Sequence, residues 1–209
     1  QVLTGQQDPN STYLENIVKV SAGRSGTHSL AIEAETGRCF SWGNNNRGQL
    51  GINSSANIRV LPQLIFRGEQ NDDPNSYPYF TGAVAVSAGE FHSMILDSES
   101  NVYCMGANSK GQLGNDSATS DSTTPVRVAA GEQSDESDYL ANIIAIDAGW
   151  DHCMALEALD PLDDTKNGRV FTWGSNTGTY YGTSGGKLGN GTNTGSSAVP
   201  VWVKSGFQQ

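Results

Sequence analysis

Apolar residues along this chain come in short bursts, and each burst closes on Gly, Asn or Asp. Asn16-Ile-Val-Lys-Val-Ser21, His28-Ser-Leu-Ala-Ile32, Cys39-Phe-Ser-Trp42 and Val60-Leu-Pro-Gln-Leu-Ile65 are rich in β-branched, aromatic or aliphatic side chains. Bursts of this length bounded by turn residues predict β-strands. No window holds apolar residues at i, i+3, i+4 and i+7 over several turns, so helices are expected to be few. The one helical candidate is a turn at Thr12-Tyr-Leu-Glu-Asn16, with counterparts near Tyr79 and Tyr139.

The bursts recur in register. Val20-Ser-Ala-Gly23 returns as Val86-Ser-Ala-Gly89 and Ile146-Asp-Ala-Gly149, and a histidine follows each time, at His28, His92 and His152. A strand then closes on Trp42-Gly43, Met105-Gly106 and Trp173-Gly174. Gly48-Gln-Leu-Gly51 is matched by Gly111-Gln-Leu-Gly114 and Gly186-Lys-Leu-Gly189, and twelve residues after each leucine stands a proline, Pro62, Pro125 or Pro200. Gly5-Gln-Gln, Gly68-Glu-Gln and Gly131-Glu-Gln open the units, which are therefore 63 residues apart. The expected organisation is a tail of a preceding repeat at 1–4, repeats at 5–67, 68–130 and 131–205, and the opening of another at 206–209. Four short strands per unit fit a propeller blade better than a solenoid rung. The prolines are expected to begin the last strand of each unit, at an outer edge where a missing N–H leaves no ladder bond unmade.

Composition narrows the functional classes. The 209 residues carry 12 basic against 22 acidic side chains, a net charge of −10, so a sequence-blind nucleic-acid footprint is excluded for the chain as a whole. The apolar runs are of strand length, and none is long enough for a membrane-spanning helix. A first residue of Gln with no cationic apolar leader suggests a processed product or a piece of a longer array. Cys39, Cys104 and Cys153, three at uneven spacing within apolar runs, read as buried thiols and not as a disulfide framework or metal pair.

Together, Ala-Gly with a following His-Ser-Leu, Trp-Gly-x-Asn-x-x-Gly-Gln-Leu-Gly and a trailing Pro-Val strand resemble the regulator of chromosome condensation repeat. The resemblance covers nearly the whole chain in three copies and implies an all-β fold, four-stranded antiparallel blades forming part of a seven-bladed β-propeller. Repeat length and the Gly-Glu-Gln opening resemble a bacterial or secreted branch, which places the protein outside the cell or at its surface, with the cytoplasm as alternative. Members of this family exchange nucleotide on a small GTPase, dock on chromatin, sense light or inhibit a β-lactamase, so the fold alone does not choose. No GTPase-facing motif is found here. Gly149-Trp150-Asp151-His152 is similar to the light sensor's Gly-Trp-x-His, but it occurs once and with Asp where that family has Arg.

Candidate chemistry is sparse. Three histidines at one repeat position should be spread around a ring, each bonding its own turn, and not converge on a metal or form nucleophile pairs with Ser29 and Ser93. Gly185-Gly-Lys187-Leu lacks the leading glycine and the Ser or Thr of a phosphate loop. The acidic stretches at Asp72-Asp73, Asp135-Glu136-Ser-Asp138 and Asp160 to Asp164 lack the spacing of a calcium cage and read as solvated loop charge. No cofactor or metal site is expected; calcium is the one ion such loops would suit. Asn10, Asn53, Asn115 and Asn190 fit the Asn-x-Ser/Thr glycosylation triplet, which Asn-rich turns also produce by chance.

The third repeat departs from the others. Its second hairpin, Glu157 to Gly168, and its loop from Trp173 to Leu188 are each seven residues longer than in the first repeat. The second insertion carries Tyr180-Tyr181, and in an up-and-down blade it shares a face with Trp150 and Asp151. Two readings stay open: neutral surface drift, or a rim of exposed aromatics that binds a partner. On the second reading the partner-binding residues are Trp150, Asp151, Tyr180 and Tyr181, in a non-enzymatic scaffold for a protein or glycan. A structural element of a surface assembly is the alternative, and an exchange-factor-like regulator a minor one. Three blades leave apolar flanks open, so self-association or further blades in a longer chain are expected.

Overall fold

Twelve strands form within the residues that the computed structural model describes, namely 1–7, 10–23, 25, 27–70, 77–117, 119–133, 137–159, 161–162, 168–178 and 185–204. Strands β1 (Ile17–Ala22), β2 (His28–Glu33), β3 (Cys39–Asn44) and β4 (Ile58–Leu64) make the first sheet. The second holds β5 (Ala83–Ala88), β6 (His92–Asp97), β7 (Val102–Gly106) and β8 (Ser122–Arg127). The third holds β9 (Ile143–Ala148), β10 (His152–Glu157), β11 (Val170–Ser175) and β12 (Ser196–Trp202). Every sheet is antiparallel with its strands in chain order. The molecule is all-β and built of propeller blades, as the repeat pattern implies.

Alternation along each strand gives every blade two apolar flanks. Leu30 and Ile32 of β2 point to the following blade, and with Cys39 and Ile65 they form the trailing flank of blade 1. Ile95, Tyr103 and Met105 form the leading flank of blade 2 and close one core cluster against it. The second cluster repeats this arrangement, with Met94, Leu96 and Leu113 on the trailing side against Ala155, Phe171 and Trp173 on the leading side. The core therefore lies between blades, and a central strand such as β6 is buried along its whole length.

Repeated polar residues shape the loops. Asn45, Asn108 and Asn176 are buried just beyond the third strand of their blades. Each side-chain oxygen accepts the leucine N–H of the Gly-x-Leu-Gly turn, at 3.0, 3.1 and 3.0 Å. Each amide nitrogen donates to a carbonyl of the long third loop, that of Ser54, Ser117 or Thr192. Gly114 must be glycine: its φ is +64°, and an added Cβ would stand 2.7 Å from the indole nitrogen of Trp173.

Two expectations are corrected. Residues 12–16 and their counterparts form no helical turn; Tyr13, Tyr79 and Tyr139 lie in isolated bridges to Leu3, Phe66 and Ala129. The glutamine of the opening marker holds them so: Gln7 takes both the N–H and the carbonyl of Glu15, and Gln133 does the same for Ala141. The helical turns fall instead on the marker itself, as single 3₁₀ turns at Gly68–Gln70 and Gly131–Gln133. The prolines lie inside the last strand and do not begin it. That strand is an edge, as expected, and Pro62 lies where its register with β3 shifts, so its missing N–H costs no ladder bond. Its carbonyl accepts the N–H of Gln6 at 3.1 Å.

Candidate functional site

Strand order puts the first-to-second turn and the third-to-fourth loop of each blade together, and backbone bonds hold them there. Asn44 donates to the Thr27 carbonyl, Ala107 to Phe91 and Ser175 to Asp151. In blade 3 this turn face carries Trp150 and Asp151, both half-buried. Asp151 is not a free carboxylate. Lys187, which replaces the glutamine of the other two turns, places its ammonium on Asp151 Oδ1 and 3.4 Å from Ser175 Oγ. His152 Nδ1 lies 4.0 Å from the same carboxyl oxygen. Across the blade boundary, Glu90 donates its backbone N–H to the Trp150 carbonyl and offers its own carbonyl to Thr27 Oγ1 at 2.5 Å. The Glu90 carboxyl is held above the usual range, chiefly by burial and further by the neighbouring Asp151 charge, against a hydrogen bond with Trp150. Tyr180 and Tyr181 lie outside the described residues.

Lys187 is the residue that sequence reasoning passed over. In the sequence it only takes the place of glutamine in the third Gly-x-Leu-Gly turn, and its ion pair with Asp151 is a product of the fold. The signal was present: two repeat positions that are uncharged in blades 1 and 2 both become charged in blade 3, with opposite signs.

His28 bonds its own turn as expected, its Nδ1 lying 3.0 Å from Thr27 Oγ1, and the imidazoles of His28 and His92 also clasp the next blade. His28 Nε2 lies 2.8 Å from Ser93 Oγ, which donates to the Gln49 carbonyl at 2.8 Å. His92 Nε2 lies 3.2 Å from Cys153 Sγ, which donates to the Gln112 carbonyl. These are His–Ser and His–Cys contacts, a geometry that could suggest nucleophilic catalysis. Burial argues otherwise: His92, Ser93 and Cys153 are fully enclosed, and both protons of each pair are spent within the clasp. Desolvation pushes the Cys153 thiol well up, away from thiolate, and lowers His28 to about 4 and His92 to about 3. Both imidazoles are neutral structural groups at neutral pH. Cys39, Cys104 and Cys153 are free and buried.

Among the described residues no three His, Cys, Asp or Glu side chains are arranged to hold a metal ion. Of the acidic stretches considered for calcium, residues 72–73, 135–136, 160 and 163–164 lie outside the described residues. No helix of the described residues is long and apolar enough to cross a membrane.

A sequence profile of the regulator of chromosome condensation (RCC1) repeat matches residues 36–96 and 99–156, more than half of the chain, and a second RCC1-repeat profile matches 17–49 and 83–112. The chain belongs to the RCC1 repeat family. Among its relatives, the human probable E3 ubiquitin-protein ligase HERC6 is 34% identical over 79% of this chain, which spans 14% of that protein. The mouse regulator of chromosome condensation is 30% identical over 68% of this chain, which spans 27% of it. Yeast Prp20p superposes with a TM-score of 0.64 at 18% identity, over 92% of this chain and 39% of its own. Human WBSCR16 gives 0.63 at 20% identity over 94% and 39%. At these identities the two structures speak for the RCC1 propeller fold alone. The chain thus spans well under half the length of each of these relatives.

Proposed function

We propose that this RCC1-repeat chain is a non-enzymatic protein-interaction module, and that its partner is a protein read by the turn face of blade 3. The observation that carries the reading is the lock of Asp151 to Lys187 and Ser175, which joins the Trp150 turn to both ends of the enlarged loop. Non-repeated residues are thereby concentrated at one place, with a half-buried tryptophan beside them. Tryptophan and tyrosine give large contact area for little entropy lost, the usual make-up of a binding hot spot. Prp20p has binding properties to Gsp1p and histones, which supports a protein over a glycan as the partner class here.

The test is capture of proteins on the immobilised chain, compared across three forms: unaltered, Trp150→Ala, and a form with residues 177–185 shortened to the length in blade 1. The reading expects a protein retained by the first and lost from both others, while melting temperature and far-ultraviolet spectrum hold. A control change on the opposite face, Glu99→Ala, should leave capture intact. Equal capture by all four forms would refute the assignment.

A further inference from the structure

The base of blade 2, at the end opposite the turn face, is built differently from the bases of the blades on either side of it. In blade 1 the marker glutamine and the second hairpin close on one ion pair. Gln7 Nε2 donates to Glu33 Oε1 at 3.2 Å, and Arg38 grips the same carboxylate through Nε and Nη2. Gln133, Glu157 and Arg169 repeat this in blade 3, with Gln133 Nε2 at 2.9 Å from Glu157 Oε1. Blade 2 has Asp97 in the place of the glutamate and Asn101 in the place of the arginine. The shorter Asp97 turns onto its own hairpin, where it accepts the Asn101 N–H at 2.9 Å and the Asn101 side-chain amide at 3.2 Å. Gln70, the marker glutamine, bonds the Thr81 backbone instead. Two smaller side chains thus replace a glutamate and an arginine, and a cavity of about 320 Å³ lies between Gln70 and Asp97. Small-molecule sites run from about 300 to 1,000 Å³.

Two more residues of its lining are unrepeated. Arg67 stands where blade 1 has Thr4 and blade 3 has Ala130, and Tyr77 stands where they have Ser11 and Ser137. Arg67 Nη1 is buried, and among the described residues it has no hydrogen-bond partner. A guanidinium is always charged, so a buried N–H of that group is unfavourable until an acceptor is supplied. Opposite in character is the aromatic wall. The rings of Tyr77 and Tyr79 meet edge to face at 5.4 Å, and Phe66 backs Tyr79 at 5.2 Å. One cation with an unused donor, one buried carboxylate and one aromatic wall therefore face the same small volume.

We propose that this cavity binds a small zwitterion of the free α-amino acid type. Arg67 takes the carboxylate, whose two oxygens match the guanidinium fork. The ammonium meets the Asp97 carboxylate, and the ligand's side chain packs on the tyrosine wall. A phosphate would satisfy Arg67 as well, but it would bring more negative charge against Asp97. The site lies away from the turn face and is independent of the protein-partner reading above.

Ligand-detected NMR on the unaltered chain, with each of the standard free L-amino acids in turn, tests it. At least one should bind. Its carboxamide, which lacks the negative end, and its N-acetyl form, which lacks the positive end, should each bind about tenfold more weakly or worse. Inorganic phosphate should not displace it. The repeat itself supplies benign variants: Arg67→Ala installs the residue of blade 3, and Tyr77→Ser that of both neighbours. Both should keep the melting temperature and weaken binding by about tenfold or more. Asp97→Glu combined with Asn101→Arg rebuilds the closed base of blades 1 and 3 and should abolish binding by filling the cavity. Binding of no amino acid, equal binding of the carboxamide, or displacement by phosphate would overturn the proposal. So would an Arg67→Ala or closed-base variant that binds as the unaltered chain does.

Discussion

Acidification from pH 7 to pH 5 should weaken this fold through its blade clasps. His28 and His92 are held neutral by burial, with folded pKa values of about 4 and about 3 against 6.5 for an unhindered imidazole. The unfolded chain therefore binds protons between pH 7 and pH 5 that the folded chain refuses. Stability is fully present above pH 6.5 and is lost as pH falls toward the folded values. At pH 5 the unfolded imidazole sits about 1.5 units below its pKa, so each histidine withdraws about 2 kcal/mol, and the two together about 4 kcal/mol. That is a large share of the 5–15 kcal/mol typical of a folded domain. Carboxylates add little in this window. Glu33, lowered to about 2 chiefly by its hydrogen bonds with Arg38, contributes in the same sense only below its ordinary value of 4.5. Glu90 is raised and so contributes in the opposite sense. Urea unfolding at pH 7, 6 and 5, compared between the unaltered chain and His92→Asn, measures the effect. The variant should start less stable yet lose about 2 kcal/mol less over the same interval. Parallel curves for the two proteins, or a flat one for the unaltered chain, would show that the clasps do not govern the acid response.

Asn108→Ala should lower stability by about 1–3 kcal/mol, because it strands the buried Leu113 N–H and the Ser117 carbonyl that the side chain satisfies; thermal melts at fixed pH check it. The thiols of Cys39, Cys104 and Cys153 should resist a disulfide reagent in the native state and react on denaturation, since all three are buried; fast labelling of the folded protein would contradict their enclosure. In a double-mutant cycle, Lys187→Gln and Asp151→Thr should couple by no more than about 1 kcal/mol, the worth of a partly solvated ion pair. Both single variants should weaken partner capture more than they weaken the fold.

What could be read from sequence here was whatever the repeat displays three times. Strand positions followed from short apolar bursts, and blade order from the unbroken succession of Gly-x-Leu-Gly turns. Contacts between copies of the pattern were harder to read. A histidine that always follows Ala-Gly invites a local partner, and only packing shows that Nε2 of His28 reaches Ser93 in the next blade. The tyrosine segments failed for a related reason. Thr12 to Asn16 is polar and short enough for a helical turn, but Gln7 ties down the Glu15 backbone at both its N–H and its carbonyl. No local propensity records that bond. The third-blade site was half legible: Trp150 and Asp151 stood out as unrepeated, whereas Lys187 became significant only once the fold set it against Asp151.

The repeated polar residues also bear on where recognition can occur. Asn45, Asn108 and Asn176 spend their amides on the turns beneath them, and Ser93 and Cys153 spend their protons on glutamine carbonyls. A group committed to an internal hydrogen bond cannot offer the same bond to a partner without stranding a buried atom, at a cost of about 1–3 kcal/mol. A partner therefore gains nothing from the positions that all three blades share, and it could not tell one blade from another by them. Discrimination falls to positions where the copies differ and the side chains reach solvent. On the turn face one such column is Thr27, Phe91 and Asp151; in a second, the buried Gln49 and Gln112 give way to the half-buried Lys187 in blade 3. Only in blade 3 do the two columns carry opposite charges that meet, beside a tryptophan and an enlarged loop. Moving that pair into blade 2, as Phe91→Asp with Gln112→Lys, would reproduce the charges there without the loop. Partner capture should then remain with blade 3, and its transfer to blade 2 would show that the charge pair alone is what the partner reads.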